Sequence, residues 1–410
     1  MSRERLDNRL YCIYGAAIAL RLAIFSVPSV ADALMNRVEL STPVTSYKRL
    51  TEGVFMFENS IPPYAGGLFH QAPLLLGLVS FFSNVPYSIP ILYTAMDVAV
   101  AHCLQRITSL KQSRFTLQRL TVEAAASALH PAVTAALYLF NPLTILSCLS
   151  RSSILFTNLT IVIALLSAIS NRPVSAMLSI ALASYLSFYP IMLLPPLILF
   201  RTGRASMIAS VATFTATLLS LLTISYLLVG SWDFIQATYG VILFLSDLTP
   251  TLGMFWYFFI EIFDQFRSFF MVVFQLHVFI FAAPLCIKFR QQPIFVATIL
   301  TGIMAVFKSY PAAGDAALYL ALIPIHDELF KYFRYGFLVA NIFLYSSILA
   351  PIFWHLWLYA GSGNANFFYA ITLVYNLGHI ILLIDVIYAC LRREFDINHP
   401  QAEGKVVVQK

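Results

Sequence analysis

Residues 367–391 form an unbroken apolar run that stops at Arg392-Arg393 and follows the turn sequence Gly361-Ser362-Gly363-Asn364-Ala365-Asn366. As a helix rising about 1.5 Å per residue, such a run crosses the ~30 Å hydrocarbon core of a bilayer. Trp354, His355, Trp357 and Tyr359 precede the turn, so aromatic rings stand at one headgroup level and the two arginines at the other. The stretch reads as a helix end, a tight interfacial loop and a full crossing. Composition extends that reading to the whole chain: hydrophobic residues make up 60% and charged residues 11%. Soluble domains carry about 45–50% and about 25%. The chain is expected to be a polytopic membrane protein, and its formal charge of +6 is then a matter of topology rather than a nucleic-acid signal.

The charges order the remaining apolar runs. Arg3, Arg5 and Arg9 precede the run 10–27, which fits a retained signal-anchor with a cytoplasmic N-terminus. The first span is placed at 10–30. The polar stretch 31–70 reads as a lumenal loop on the membrane surface, and 230–267 as a second lumenal excursion with an aromatic run at 255–259. Segment 73–82 is too short to cross and reads as interfacial or re-entrant. Segment 106–119 carries basic residues and no acid, which marks a cytoplasmic loop. Most of the 25 Lys and Arg residues fall on the cytoplasmic side, against Arg37, Lys48, Arg49, Arg151, Arg267 and Lys308 in lumenal segments and Arg21 inside the membrane. The expected fold is an all-α bundle of about twelve transmembrane helices with both termini cytoplasmic. Residues 1–398 form a single membrane domain and 399–410 a cytoplasmic tail. The five cysteines are scattered through apolar runs as small buried hydrophobes, and the sequon at Asn158 lies in an apolar run, so no glycan is expected there.

Long, unusual strings within this frame carry a resemblance. RVELSTPVTSYKRLTEG (37–53), SWDF (231–234), DLTPTLGMFWYFFIEIFDQF (247–266), KSYPAAGDAALY (308–319), WHLWLYAGSGNANFFYAITL (354–373) and LRREF (391–395) are similar to the phosphatidylinositol-glycan class U (PIG-U) family of glycosylphosphatidylinositol (GPI) transamidase subunits. The resemblance implies a multi-pass protein of the endoplasmic reticulum membrane. It implies one of five subunits, beside a cysteine-protease-like catalytic subunit and three others, that helps to present the GPI lipid for attachment to protein C-termini. It also implies an architecture like that of the polytopic mannosyltransferases of the GT-C class.

The first lumenal loop separates that reading from an active enzyme. Mannosyltransferases of this kind place paired acids there to hold a metal or deprotonate an acceptor. The order Pro63-Tyr64 followed by His70-Gln71-Ala72-Pro73 is similar to GPI mannosyltransferases, but the critical place holds only Glu39 between Val38 and Leu40. Asp32, Glu52 and Glu58 are too dispersed to pair with it. A dolichyl-phosphate-mannose-dependent GPI mannosyltransferase is therefore the runner-up. No Cys lies near a His in a lumenal segment, His70 and His355 are isolated, and no spacing resembles a metal site, so neither a catalytic residue nor a cofactor is assigned. A transporter or scramblase lacks the midplane charge clusters it would need.

Polar residues remain in the final span. Tyr369, Thr372, Asn376 and His379 recur at three- and four-residue spacing and give one polar stripe. The stripe either bonds a neighbouring helix or lines a polar ligand. Asp385 lies on the opposite face, and Arg392 is its nearest expected partner. Asn364 and Asn366 sit at the lumenal end. On composition alone they are turn chemistry; with the resemblance they become, together with Tyr369 and Asn376, the candidate GPI-lipid site, since amides both donate to and accept from sugars and phosphates. Arg201, Arg204, Lys288 and Arg290 stand at cytoplasmic helix ends. They either set topology or hold anionic phospholipid headgroups, at about 1 kcal/mol each beside a charged leaflet.

Overall fold

The computed structural model describes residues 2–117, 129–201 and 203–402. The side chains of Arg3 and Arg5, residue Arg119 of the basic segment, the expected helix start at 124 and residues 403–410 of the expected tail lie outside what is described. Every regular element among the described residues is helical. The chain divides into two compact units, 1–325 and 326–410.

Helix lengths decide what can cross a bilayer unaided. Arg204–Val229, Asp264–Lys288, Gly336–Leu358 and Ala365–Asn398 are four helices long and apolar enough, and the count rises to six if each of two bent pairs is one span. The first bent pair breaks the first span placed at 10–30 near its end. Pro28 opens a new helix, Pro28–Met35, which leaves the axis of the first at 88°. The second is Pro131–Leu139 followed by Pro142–Leu149, bent by 52°, where Asn141 accepts from the Leu143 amide and caps the new helix. The shorter apolar helices have 10–17 residues, under the ~20 that a straight crossing needs.

In the first unit, Ile154–Ile169 and Pro173–Ser187 form a hairpin that turns at Asn171, which takes the left-handed conformation. Pro293–Phe307 is apolar on every face and buried from Ile294 to Val306, the pattern of a helix enclosed by protein. Arg204–Val229 is also strongly apolar, but along it only Ser210, Phe214 and Ser225 are buried, and Ile208, Val211, Leu219 and Leu227 face outward. An exposed apolar surface of that kind belongs against lipid. The basic segment 106–119 departs from expectation. Its described part continues the helix Ser88–Leu117, and Lys111 is buried with its ammonium donating to the Ile325 carbonyl at 2.6 Å. A cation that satisfies the carbonyl end of another helix leaves no trace in hydropathy, which is why it reads as loop. Of the cysteines, Cys103, Cys148, Cys286 and Cys390 are buried as expected and Cys12 is exposed. Asn158 is also buried, its amide donating to the Gly314 carbonyl at 2.8 Å.

The second unit is a hairpin of Gly336–Leu358 and Ala365–Asn398. The two helices meet where Gly378 lacks a side chain: a Cβ there would lie 2.7 Å from Ile342 Cγ2 and 3.0 Å from Phe343 Cε1. Gly378→Leu is expected to destabilise the hairpin by about 1–3 kcal/mol through overpacking. Thermal unfolding of the purified chain in detergent reads that loss.

Candidate functional site in the closing turn and the loop cluster

The closing turn is built by local chemistry. The amides of Ser362 and Gly363 both return to the Leu356 carbonyl, at 3.1 and 3.0 Å, and Gly361 takes φ +65° to let the chain reverse. Asn364 is the N-cap of Ala365–Asn398, its Oδ1 accepting from the Asn366 amide at 3.1 Å. That bond uses the amide oxygen of a residue that is itself exposed. Asn366 is exposed beside it, and Tyr369 is half-buried one turn further on. Beneath the turn, Trp354 is buried against Phe368 and Trp357, at ring separations of 5.0 and 5.4 Å. The aromatic residues thus hold the turn up from below.

The stripe divides. Thr372, Asn376 and His379 are all buried in the seam of the hairpin. Thr372 Oγ1 donates to the Tyr369 carbonyl at 2.7 Å and Asn376 Nδ2 to the Thr372 carbonyl at 2.8 Å, while the His379 ring lies 4.4 Å from that of Phe343. Asn376 is ten positions beyond Asn366, about 15 Å along the helix. The structure therefore brings Asn364, Asn366 and Tyr369 together at the surface and sets Asn376 deep between two helices. Asp385 is not paired with Arg392. Its carboxylate accepts from the amides of Arg334 and Tyr335, at 2.9 and 3.0 Å, and Arg392 turns to Asp396 at 3.1 Å.

A second polar cluster forms in the first unit from strings far apart in sequence. Arg49, of the string 37–53, donates to the Asp247 carboxylate at 2.7 Å and to the Leu68 carbonyl at 3.2 Å. Tyr310, of the string 308–319, donates to the Asp247 carbonyl at 2.7 Å. Thr249 closes a turn on the same carboxylate through its amide, at 2.9 Å, and its hydroxyl. Nearby, Glu39 is held by both arms of Arg37, at 2.6 and 3.1 Å, while its carbonyl accepts from the Ala313 amide at 2.9 Å. Lys308 pairs with Asp315 at 2.6 Å. Glu39 is thus a guanidinium-locked carboxylate, poorly placed to take a proton from an acceptor. Below these loops, Tyr189, Gln275 and Ser309 bond one another at 2.7–2.9 Å, and Gln275 reaches the Ile242 carbonyl at 2.9 Å.

Electrostatics follow the geometry. Burial acts to raise the Asp247 pKa, but the bonds from Thr249 and the charge of Arg49 outweigh it and hold the carboxyl below its ordinary value. Burial lowers the His70 pKa. Its Nδ1 lies 2.8 Å from the Ala237 carbonyl and so carries the proton, leaving a buried, unbonded Nε2 at 3.9 Å from Asp247. A ring with a depressed folded pKa binds fewer protons folded than unfolded. Its stabilisation is present above the unfolded value near 6.5 and is lost as pH falls below it. The Tm in detergent is expected to fall as pH drops from about 7.5 to about 5.5, and to fall less in His70→Gln.

The strings gathered here are those that carry the family resemblance, and a family profile described as GPI transamidase subunit PIG-U matches residues 15–375. The chain belongs to the PIG-U family of GPI transamidase subunits. It is 37% identical over 419 residues to the mouse GPI-anchor transamidase component PIGU, covering 95% of this chain and 95% of that protein. It is 38% identical over 408 residues to the Saccharomyces cerevisiae GPI transamidase component GAB1, covering 98% and 99%. A GAB1 homolog of Schizosaccharomyces pombe is 31% identical over 381 residues, covering 92% of each.

In this PIG-U family member the basic helix ends are all solvent- or lipid-accessible in some degree. Arg204, Lys288 and Arg290 are exposed, and Arg201 is half-buried with its Nε donating to Ser206 at 2.7 Å. Arg204 begins its helix, where a cation opposes the macrodipole, and Lys288 ends its own, where it complements it. An anion at Arg204 would relieve that opposition. Among the described residues no cluster of three His, Cys, Asp or Glu side chains forms a metal site. Sequence reasoning missed the Arg49–Asp247–Tyr310 cluster. The one signal for it was that unusual strings recur in polar segments nearly 200 residues apart, since the Arg49–Asp247 pair is separated by 198 positions.

Proposed function

We propose that this chain is a non-catalytic subunit of the GPI transamidase of the endoplasmic reticulum, and that its closing turn contacts the GPI lipid. The observation that carries the reading is the exposed pair Asn364 and Asn366, with half-buried Tyr369 below, at the end of an apolar helix hairpin. GPI joins a polar glycan and phosphates to acyl chains, and a binder needs amide donors and acceptors at the edge of an apolar surface. Asn376 contributes from the seam by fixing the helix below the turn. Arg201, Arg204, Lys288 and Arg290, at helix ends read as cytoplasmic, hold anionic phospholipid. The reading keeps about twelve crossings, the short helices crossing in end-to-end pairs, with both termini cytoplasmic and the turn in the lumen. A GT-C-like bundle then serves as a lipid-handling scaffold. Its partners are a cysteine-protease-like catalytic subunit and three further subunits. The guanidinium lock on Glu39 disfavours a mannosyltransferase.

The test is GPI attachment in cells whose only copy carries Asn364→Lys or Asn366→Ala. Asn364→Lys replaces a cap and an amide donor by a flexible cation. It is expected to cut surface display of GPI-anchored proteins at least about fivefold, and Asn366→Ala about twofold, with normal recovery of the complex. Untouched attachment in both, with intact assembly, moves the lipid site elsewhere.

A further inference from the structure

A groove of about 1000 Å³ lies between the first helix and Pro131–Leu139, and none of the preceding sites uses it. One wall is a stripe along a single helix face. Val133, Leu137 and Phe140 recur at four- and three-residue spacing and are 39%, 49% and 43% exposed, while Ala135, Tyr138 and Leu139 of the other faces are buried. Ile13 lines the opposite wall. The groove is polar at its mouth. Arg9 is exposed there, and beside it His130 accepts the Ala132 amide through Nδ1 at 3.2 Å, so that Nε2 carries the ring proton as a donor. Among the described residues no acidic side chain lines it. From His130 to Phe140 is about 15 Å along the helix, half of the ~30 Å hydrocarbon core and hence the depth of one leaflet.

We infer that this groove binds one anionic glycerophospholipid from the leaflet at the N-terminal end of the first helix. The phosphate lies between Arg9 and His130, and an acyl chain runs down the Val133–Leu137–Phe140 face. The charge at the mouth selects the headgroup, and the apolar wall supplies most of the binding. The site is independent of the closing turn and of GPI.

The experiment is native mass spectrometry on the purified, delipidated full chain offered equal amounts of phosphatidylserine and phosphatidylcholine. The wild type should retain one lipid with about a fivefold preference for phosphatidylserine. Arg9→Gln should retain a lipid and lose the preference, and Leu137→Trp, which fills the groove, should lower occupancy about tenfold with unchanged helical circular dichroism. A photoreactive residue at Val133 in native membranes should capture lipid. Equal retention of the two lipids by the wild type, an unchanged preference in Arg9→Gln, or capture of protein alone at Val133 would each overturn the assignment.

Discussion

Asp97→Ala is expected to cost this chain about 3–5 kcal/mol, the largest loss of any single side chain considered. Asp97 and Arg21 are both fully buried and meet at 2.7 Å between the first helix and Ser88–Leu117. The other Arg21 donors reach the carbonyls of Ala17 and Leu139, at 3.2 and 2.9 Å, and Tyr138 donates to the second carboxylate oxygen at 2.9 Å. The node therefore ties three helices and satisfies each of its members. Removing the carboxylate leaves a permanent guanidinium charge in an apolar interior, which is far costlier than the pair is worth. Two readouts separate this cause from simple loss of volume. Asp97→Asn, which keeps the shape and one acceptor oxygen but not the charge, should still be strongly destabilised, whereas the double change Arg21→Leu with Asp97→Leu should recover most of the loss. Chemical denaturation in mixed micelles measures all of them. If the single and double variants are equally unstable, the charge is not the cause.

Asp385→Ala should destabilise the second unit by about 2–4 kcal/mol, because its carboxylate caps a helix from another helix. The group is fully buried, and it accepts from the amides of Arg334 and Tyr335 just ahead of Gly336–Leu358, which has no side-chain cap of its own. Those amides find their acceptor in this buried carboxylate, and losing it leaves helix-start donors unpaired beside an apolar hairpin. Asp385→Asn keeps one acceptor oxygen and should lose about half as much. Arg392→Ala, by contrast, removes an i,i+4 pair with Asp396 and a contact over the Phe395 ring, both near the surface, and should change stability by about 0.5 kcal/mol. Hydrogen exchange at the first amides of Gly336–Leu358 gives the sharpest reading. Protection should fall in Asp385→Ala and stay unchanged in Arg392→Ala.

These two carboxylates show what the sequence made legible and what it did not. Helix existence followed from hydropathy and proline punctuation: Ile154–Ile169 and Pro293–Phe307 have the ends that their apolar runs suggest. The same signals failed at Pro28, where an apolar run continues through a sharp bend, and in the basic segment that extends Ser88–Leu117. Hydropathy reports how apolar a stretch is and nothing of its direction. Partners were less legible still. Asp385 is seven positions from Arg392, which made that arginine the obvious candidate, yet the nearer demand in space came from two backbone amides some fifty positions earlier. Arg21 was recognisable as intramembrane, but its partner at a separation of 76 residues could only come from the fold. At the candidate lipid site, the turn chemistry of Asn364 was readable because capping is local. The burial of Asn376 was not, since it depends on which face of the helix meets Gly336–Leu358.

The most direct test of the central claim places a photoreactive amino acid at Asn366 of the full chain in its native membrane, followed by capture with a radiolabelled GPI precursor. Contact between the closing turn and the lipid predicts a labelled adduct on this chain that is competed by unlabelled GPI. The same probe at Phe337, an exposed residue at the far end of the hairpin, should give no adduct. Equal labelling at the two positions, or adducts at Asn366 with protein alone, would contradict it.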